Sequence, residues 1–310
     1  MLKWIFRGLV YLEPYGVVAG LSAGGLGMAG VVLAKGSAFV RDVPLSWASL
    51  IFLLSFGLMM GIYNVDRWKD NASDFDTPER VAAWDLNSAT VFLLTGFPFA
   101  VSAGVITLAS SPPTRIYSLG LFAFLSLLGV FYSFSLLNRL PGVPARIQFR
   151  AKDIPYVKSL YVSAVWGATM LFPAVLTAEF NLTAGAAFAF FVFLRMIPAC
   201  NAGDIRDIHS DSLAGRRTFP TVFGSELTIR AMKYLHILAA VWLFLAVSQR
   251  WLPFFGTALL TNCIFGFVVW TLHQRALIDI QRVLILTVLD VFSIFFVILA
   301  GWYAFPMLFF

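Results

Sequence analysis

Five of the chain's 16 acidic residues fall in one short stretch, YNVDRWKDNASDFDTPER at 63–80: Asp66, Asp70, Asp74, Asp76 and Glu79. A second group, Asp204, Asp207 and Asp211, lies in NAGDIRDIHSDSLAGRRTFPTVFG at 201–224. Asp66, Asp70 and Asp74 are spaced i, i+4, i+8, so on a helix they share one face over ~12 Å. Asp207 and Asp211 repeat the i, i+4 step, with Asp204 one turn earlier and Asn201 a turn before that. Like charges at this spacing weaken a helix, so both ladders call for a cation. Ligand sets made only of oxygen select hard cations, and Mg²⁺ takes one or two carboxylates, waters and phosphate oxygens. A charged loop is ordinarily just solvated, but two matching ladders facing each other would form a Mg²⁺–diphosphate clamp. Cations stand ready beside them: Arg67, Lys69, Arg206, Arg216 and Arg217, with Arg146, Arg150, Lys152 and Lys158 in the stretch 139–158. Arg grips phosphate in a bidentate fashion, whereas Lys acts as a point charge.

The elements that must hold these ladders are apolar. The chain is 60% hydrophobic and only 12% charged, with a mean hydropathy of +0.84. Apolar runs at about 15–37, 45–66, 86–109, 115–137, 159–178, 183–204, 229–248, 252–273 and 281–304 predict nine membrane spans. The expected fold is an all-α polytopic bundle, one membrane domain over residues 1–310. The first span is Gly- and Ala-rich, which signals close helix packing. Residues 1–12, with Trp4, Phe6 and Tyr11, are expected to lie along the interface. Of the 22 Lys and Arg, 17 fall at the N-terminus or after even-numbered spans, and only Lys35, Arg41, Arg115 and Arg250 fall in the opposite loops. That bias places the N-terminus and both acidic segments in the cytoplasm. It also explains the net charge of +6 as topology, so no nucleic-acid partner is expected. Cys200 and Cys263 sit in apolar runs and imply no disulfide.

The two acidic segments resemble the aspartate-rich motifs of the UbiA superfamily of intramembrane prenyltransferases. The family's first motif, Asn-Asp-x-x-Asp-x-x-x-Asp, falls with its ladder on Asp66, Asp70 and Asp74, Asp66 standing where Asn is usual. The second is matched by Asp207-x-x-x-Asp211 followed by AGRRTFPTVFG, and KDIPYVK is similar to the family's loop after span four. The resemblance implies Mg²⁺-dependent transfer of a prenyl group from a prenyl diphosphate to a lipophilic acceptor among membrane lipids. Asp66, Asp70, Asp207 and Asp211 are then expected to be catalytic, with Asp74 and Asp204 joining them as metal ligands. Asn64, Arg67, Lys152, Lys158, Arg195, Asn201 and Arg206 are expected to bind substrate. Ionising the allylic C–O bond demands stabilisation of the leaving group and a dry, electron-rich chamber for the cation.

Two charges lie inside apolar runs, Arg195 in FVFLRMIPACN and Asp290 in LTVLDVFSIFF. Buried charge in hydrocarbon usually faces the bundle interior with a partner. Arg195 lies ~13 Å below Asp204 and Asp290 ~12 Å below Arg282, at 1.5 Å per residue, so the two are expected to pair. A contact of Arg195 with substrate is the competing expectation. His236 and His273 are expected to be packing or interfacial residues, and Tyr63 could line the cavity mouth. A terpene cyclase on the same scaffold would use the same clamp. A cation transporter would instead string ionisable groups through mid-membrane, whereas these acids are stacked at one face.

Overall fold

Small residues set the closest approaches. In the computed structural model, which describes residues 16–34, 45–69, 88–133, 154, 156–176, 181–213 and 215–308, helix α1 (Val17–Ala34) packs against α2 (Leu45–Lys69). A Cβ added at Gly24 would lie 2.5 Å from the Phe52 ring, and one at Gly20 2.9 Å from Phe56. The Gly- and Ala-rich span is therefore a packing surface, since lipid supplies no hydrophobic drive and helices gain by close contact. The same device joins α2 to α3 (Ser88–Ala109), where a Cβ at Gly57 would lie 2.4 Å from the Pro98 carbonyl. Ser102 Oγ fastens that contact by donating to the Leu54 carbonyl at 2.8 Å.

The chain continues through α4 (Pro112–Ser133), α5 (Val157–Thr169), α6 (Phe172–Leu176) and α7 (Leu182–Arg206). Pro173 lacks the N–H that would continue α5, which is why the fifth span is two pieces. Asn181 caps α7, its side chain accepting from Thr183 N at 2.9 Å and Ala184 N at 3.3 Å. A short α8 (Ile208–Leu213) precedes α9 (Phe219–Ser248), a 3-10 turn (Phe254–Leu259), α10 (Leu260–Gln274) and α11 (Ile280–Leu308). The architecture is an all-helical membrane bundle. Among the described residues, seven helices are long and apolar enough to cross a membrane, and Val17–Leu33 and Leu93–Ala109 are shorter apolar helices.

These nine segments coincide with the nine expected spans. The largest departure is α9, which begins at Phe219 rather than near 229, with a non-helical Gly224 (φ 80°, ψ 161°) near its start. The added turns, FPTVFGSELT, include Pro220, Gly224, Ser225 and Glu226 and dilute the hydropathy signal, but Thr218 and Pro220 start a helix all the same. Segment 1–12 lies outside the described residues. Helix α7 is the most buried of the long spans, and it carries the second acidic segment at its end.

Candidate active site

At the end of α7 the ladder expected from spacing is broken and re-formed. Asp207 is the C-cap (φ −96°, ψ 15°), so α7 stops there and α8 turns aside. Its carbonyl still accepts from Asp211 N at 2.8 Å. The turn swings Asp211 beneath Asp204, and both carboxylates converge on Lys158 of α5. Lys158 Nζ stands 2.7 Å from Asp204 Oδ1 and 3.3 Å from Asp211 Oδ2. Arg216 Nη1 reaches Asp211 Oδ1 at 3.4 Å. Asp204 and Asp211 are buried, while about a fifth of the Lys158 side chain (22%) meets solvent. Asp207 turns the other way and takes a two-pronged grip from Arg206, Nε to Oδ1 at 2.6 Å and Nη2 to Oδ2 at 2.8 Å.

Lys158 is aimed by its neighbour. Tyr156 adopts a left-handed φ of 66° and sets the entry into α5. Its N–H donates to the Arg217 carbonyl at 3.0 Å, and Arg217 Nη2 donates to the Tyr156 hydroxyl at 3.1 Å. The ring also packs on Phe219 and Phe223, with centroids 6.1 and 5.6 Å away. A residue from the loop after span four is thereby bolted to the second acidic segment, which fixes the reach of the ammonium.

The first acidic segment enters through Asp66 on α2. Ser133 Oγ donates to Asp66 Oδ1 at 2.7 Å. A cavity of about 80 Å³ lies beside Asp66, walled by Tyr63, Tyr132 and Tyr161. The last two rings stack with centroids 5.7 Å apart, and Tyr161 donates to the Leu128 carbonyl at 2.7 Å. The Tyr132 phenol stands in the field of both Asp66 and Asp204, so the two acidic segments share one neighbourhood. Asp70, Asp74 and Lys152 lie outside the described residues, as does the Arg67 side chain.

A larger cavity of about 290 Å³ adjoins this mouth. Gly16, Tyr63 and Trp166 wall one side, Cys200, Gly203 and Arg206 another, and α11 closes it with Thr287 and Val291. Tyr63 lines both cavities, as its position one turn from Arg67 suggested. Two amides lie on the same helices as these acids, Asn64 on α2 and Asn201 on α7, each fully buried. Asn64 Nδ2 donates to the Leu94 carbonyl at 2.7 Å and Asn201 Nδ2 to the Ile197 carbonyl at 2.9 Å. Both amide oxygens are buried with no partner among the described residues, an arrangement that costs free energy unless something else is bound there.

Arg195 sits elsewhere. Its Nη2 pairs with Asp290 Oδ2 in the bundle interior, as equal depth predicted, and His236 Nδ1 approaches its Nη1. Asn262 Nδ2 donates to Asp290 Oδ1 at 2.8 Å. His236 is thus an interior residue packed on a charge. Ser133, Tyr132, Tyr161, Asn262 and His236 went unforeseen as site neighbours, because nothing in their spacing marks them.

Among the described residues, no three carboxylate, imidazole or thiol groups converge as a complete metal cage. Mg²⁺ does not require one, since it needs one or two carboxylates and completes its shell with water and phosphate oxygens. The donors present fit it: Asp204 and Asp211 gather around a single positive point, and the Asn64 and Asn201 oxygens have no partner among the described residues.

The model of the UbiA prenyltransferase family matches residues 23–294. No curated protein matches the sequence. Among solved structures, a UbiA homolog from Aeropyrum pernix K1 superposes with a TM-score of 0.68 at 16% identity, covering 94% of this chain and 98% of that one. A UbiA homolog from Archaeoglobus fulgidus bound to GPP and Mg²⁺ gives 0.60 at 15% identity, over 94% and 99% of the two chains. A digeranylgeranylglyceryl phosphate synthase gives 0.59 at 14% identity, over 98% and 100%.

Proposed function

Because the chain belongs to the UbiA prenyltransferase family, we propose that it moves a prenyl group from a prenyl diphosphate onto a lipophilic acceptor within the membrane, using Mg²⁺. The protein is a multi-pass integral membrane prenyltransferase. The observation that carries the substrate reading is the convergence of Asp204 and Asp211 on Lys158 at the end of α7, the helix whose Gly203 and Arg206 line the large cavity. The ligands of the Archaeoglobus homolog, GPP and Mg²⁺, support the same class.

Asp204 and Asp211 would hold the metal from the second segment, and Asp66, Asp70 and Asp74 from the first, with Asp207 behind them. Bound there, Mg²⁺ would supply Lewis-acid neutralisation of charge growing on the diphosphate. The protein's own cations share that task. Lys158, Arg206 and Arg216 are proposed to draw the diphosphate oxygens away from the allylic carbon, with Arg67 and Lys152 beside them. Preorganised charge of this kind works because it needs no reorganisation during reaction. The apolar wall of the large cavity holds the chain and keeps water from the cation. The Tyr63 and Trp166 rings meet edge to face, centroids 6.4 Å apart, and offer π density to positive charge. Asn64 and Asn201 are proposed to bind substrate through their buried amide oxygens. The positive-inside bias supports a cytoplasmic mouth, and residues 1–310 are proposed to act as one membrane domain.

The test is turnover in detergent with labelled prenyl diphosphates, lipid extract as acceptor, and Mg²⁺ or EDTA. A prenylated lipid formed only with Mg²⁺, and lost in Asp204→Asn, is the expected result. A hydrocarbon or alcohol made without any acceptor would reassign the protein as a cyclase.

A further inference from the structure

The buried polar group in the bundle interior ties four helices at one level. Arg195 belongs to α7, Asp290 to α11, His236 to α9 and Asn262 to α10, and all four are at most 4% exposed. Asn262 Nδ2 also reaches Ser293 Oγ at 2.9 Å. The fit leaves no slack: a Cβ at Gly266 would lie 2.4 Å from His236 Cε1 and 2.7 Å from Arg195 Nη1. None of these four side chains lines the large cavity, but chain neighbours of two of them do. Met196 follows Arg195, Val291 follows Asp290, and both are on its wall.

From there the wall runs toward the mouth along Cys200, Gly203 and Arg206 on α7 and along Thr287 on α11. Met196 is ten residues from Arg206, so it marks the deep end, ~15 Å below the mouth at 1.5 Å per residue. The ion pair therefore clamps the two walls together where the cavity ends. An apolar contact there would slide or part before a bulky chain at small cost. A charge pair in hydrocarbon will not, because parting it strands two unpaired charges.

We propose that the Arg195–Asp290 tie, braced by His236 and Asn262, fixes the floor of the prenyl chamber and thereby the longest prenyl chain the enzyme accepts. This rests on the large cavity being the prenyl chamber of the proposed reaction. Arg195 and Asp290 are positioning residues that act through Met196 and Val291. A hydrophobic floor discriminates chain lengths by fit, and the stiffness of that floor decides how sharp the limit is.

The experiment measures binding by thermal-shift titration, and kcat and KM, for prenyl diphosphates of ten, fifteen and twenty carbons. It compares wild type, Arg195→Met, Asp290→Leu, the double variant and Met196→Ala. Each single charge variant should lose thermal stability, and the double should regain much of it. Even so, the double should shift the preference for the twenty- over the ten-carbon donor by about tenfold, the scale on which apolar pockets discriminate. The shift should sit in KM, with kcat for the short donor little changed. Met196→Ala, which leaves the charges alone, should shift preference in the same direction. A stable double variant with the wild-type donor profile would overturn the proposal, as would an unchanged profile in Met196→Ala should the double fail to fold. Wild type that binds none of the donors would sink the chamber reading itself, and the floor with it.

Discussion

Two sets of charges lie on α7 less than three turns apart, and they are built for opposite purposes. At the mouth, Asp204 and Asp211 share one lysine whose side chain is partly solvated. In the interior, Arg195 and Asp290 are closed off by His236, Asn262 and a glycine that leaves no room. The first arrangement can trade its cation for a ligand, because water and other charges are at hand to take up what is released. The second cannot trade anything, since hydrocarbon offers no substitute partner. The lesson is that an ion pair's role follows from what surrounds it rather than from which residues form it.

This contrast can be broken in four places. The largest effect should come from Asp204→Asn, which is expected to lower turnover about a thousandfold, the scale of losing one preorganised electrostatic group, while the melting temperature stays near wild type. A collapse of the fold instead would make the mouth structural and erase the distinction. Asp290→Leu should do the reverse, costing about 3–5 kcal/mol by stranding Arg195, as read from denaturation in detergent. Pairing it with Arg195→Met should recover most of that loss. Additive losses would show that the two charges are not partners. Gly266→Ala should cost about 1–3 kcal/mol through overpacking against His236 and Arg195. The smallest effect is expected from Lys158→Gln, a rise of about tenfold in KM for the prenyl diphosphate, in the range of one charge-assisted hydrogen bond. KM for the acceptor should not move. Equal changes in both constants would assign Lys158 to holding the helices rather than the substrate.

The bundle was largely legible in the sequence because hydropathy is a bulk property: a run long enough to cross a membrane announces itself whatever surrounds it. The Arg195–Asp290 pair was legible for a related reason, since two scarce opposite charges at one depth have few other places to go. Lys158 could be guessed from its loop. The convergence of Asp204 with Asp211, rather than of Asp207 with Asp211, could not, because it depends on α7 breaking at Asp207. Ser133 and Tyr161 were equally hidden. Each is an ordinary helix residue whose meaning comes from a neighbour far away in the chain, Asp66 in one case and the Leu128 carbonyl in the other. His236, Asn262 and Gly266 needed the packing of four helices before their roles could be seen.

The non-helical Gly224 separates the first turn of α9 from the rest of the helix, and Phe219 and Phe223 of that turn rest on Tyr156. Mechanically, that turn therefore belongs to the rim and not to the span it begins. Lys158, at the second residue of α5, takes its position from that joint, while the remainder of α9 is held around His236.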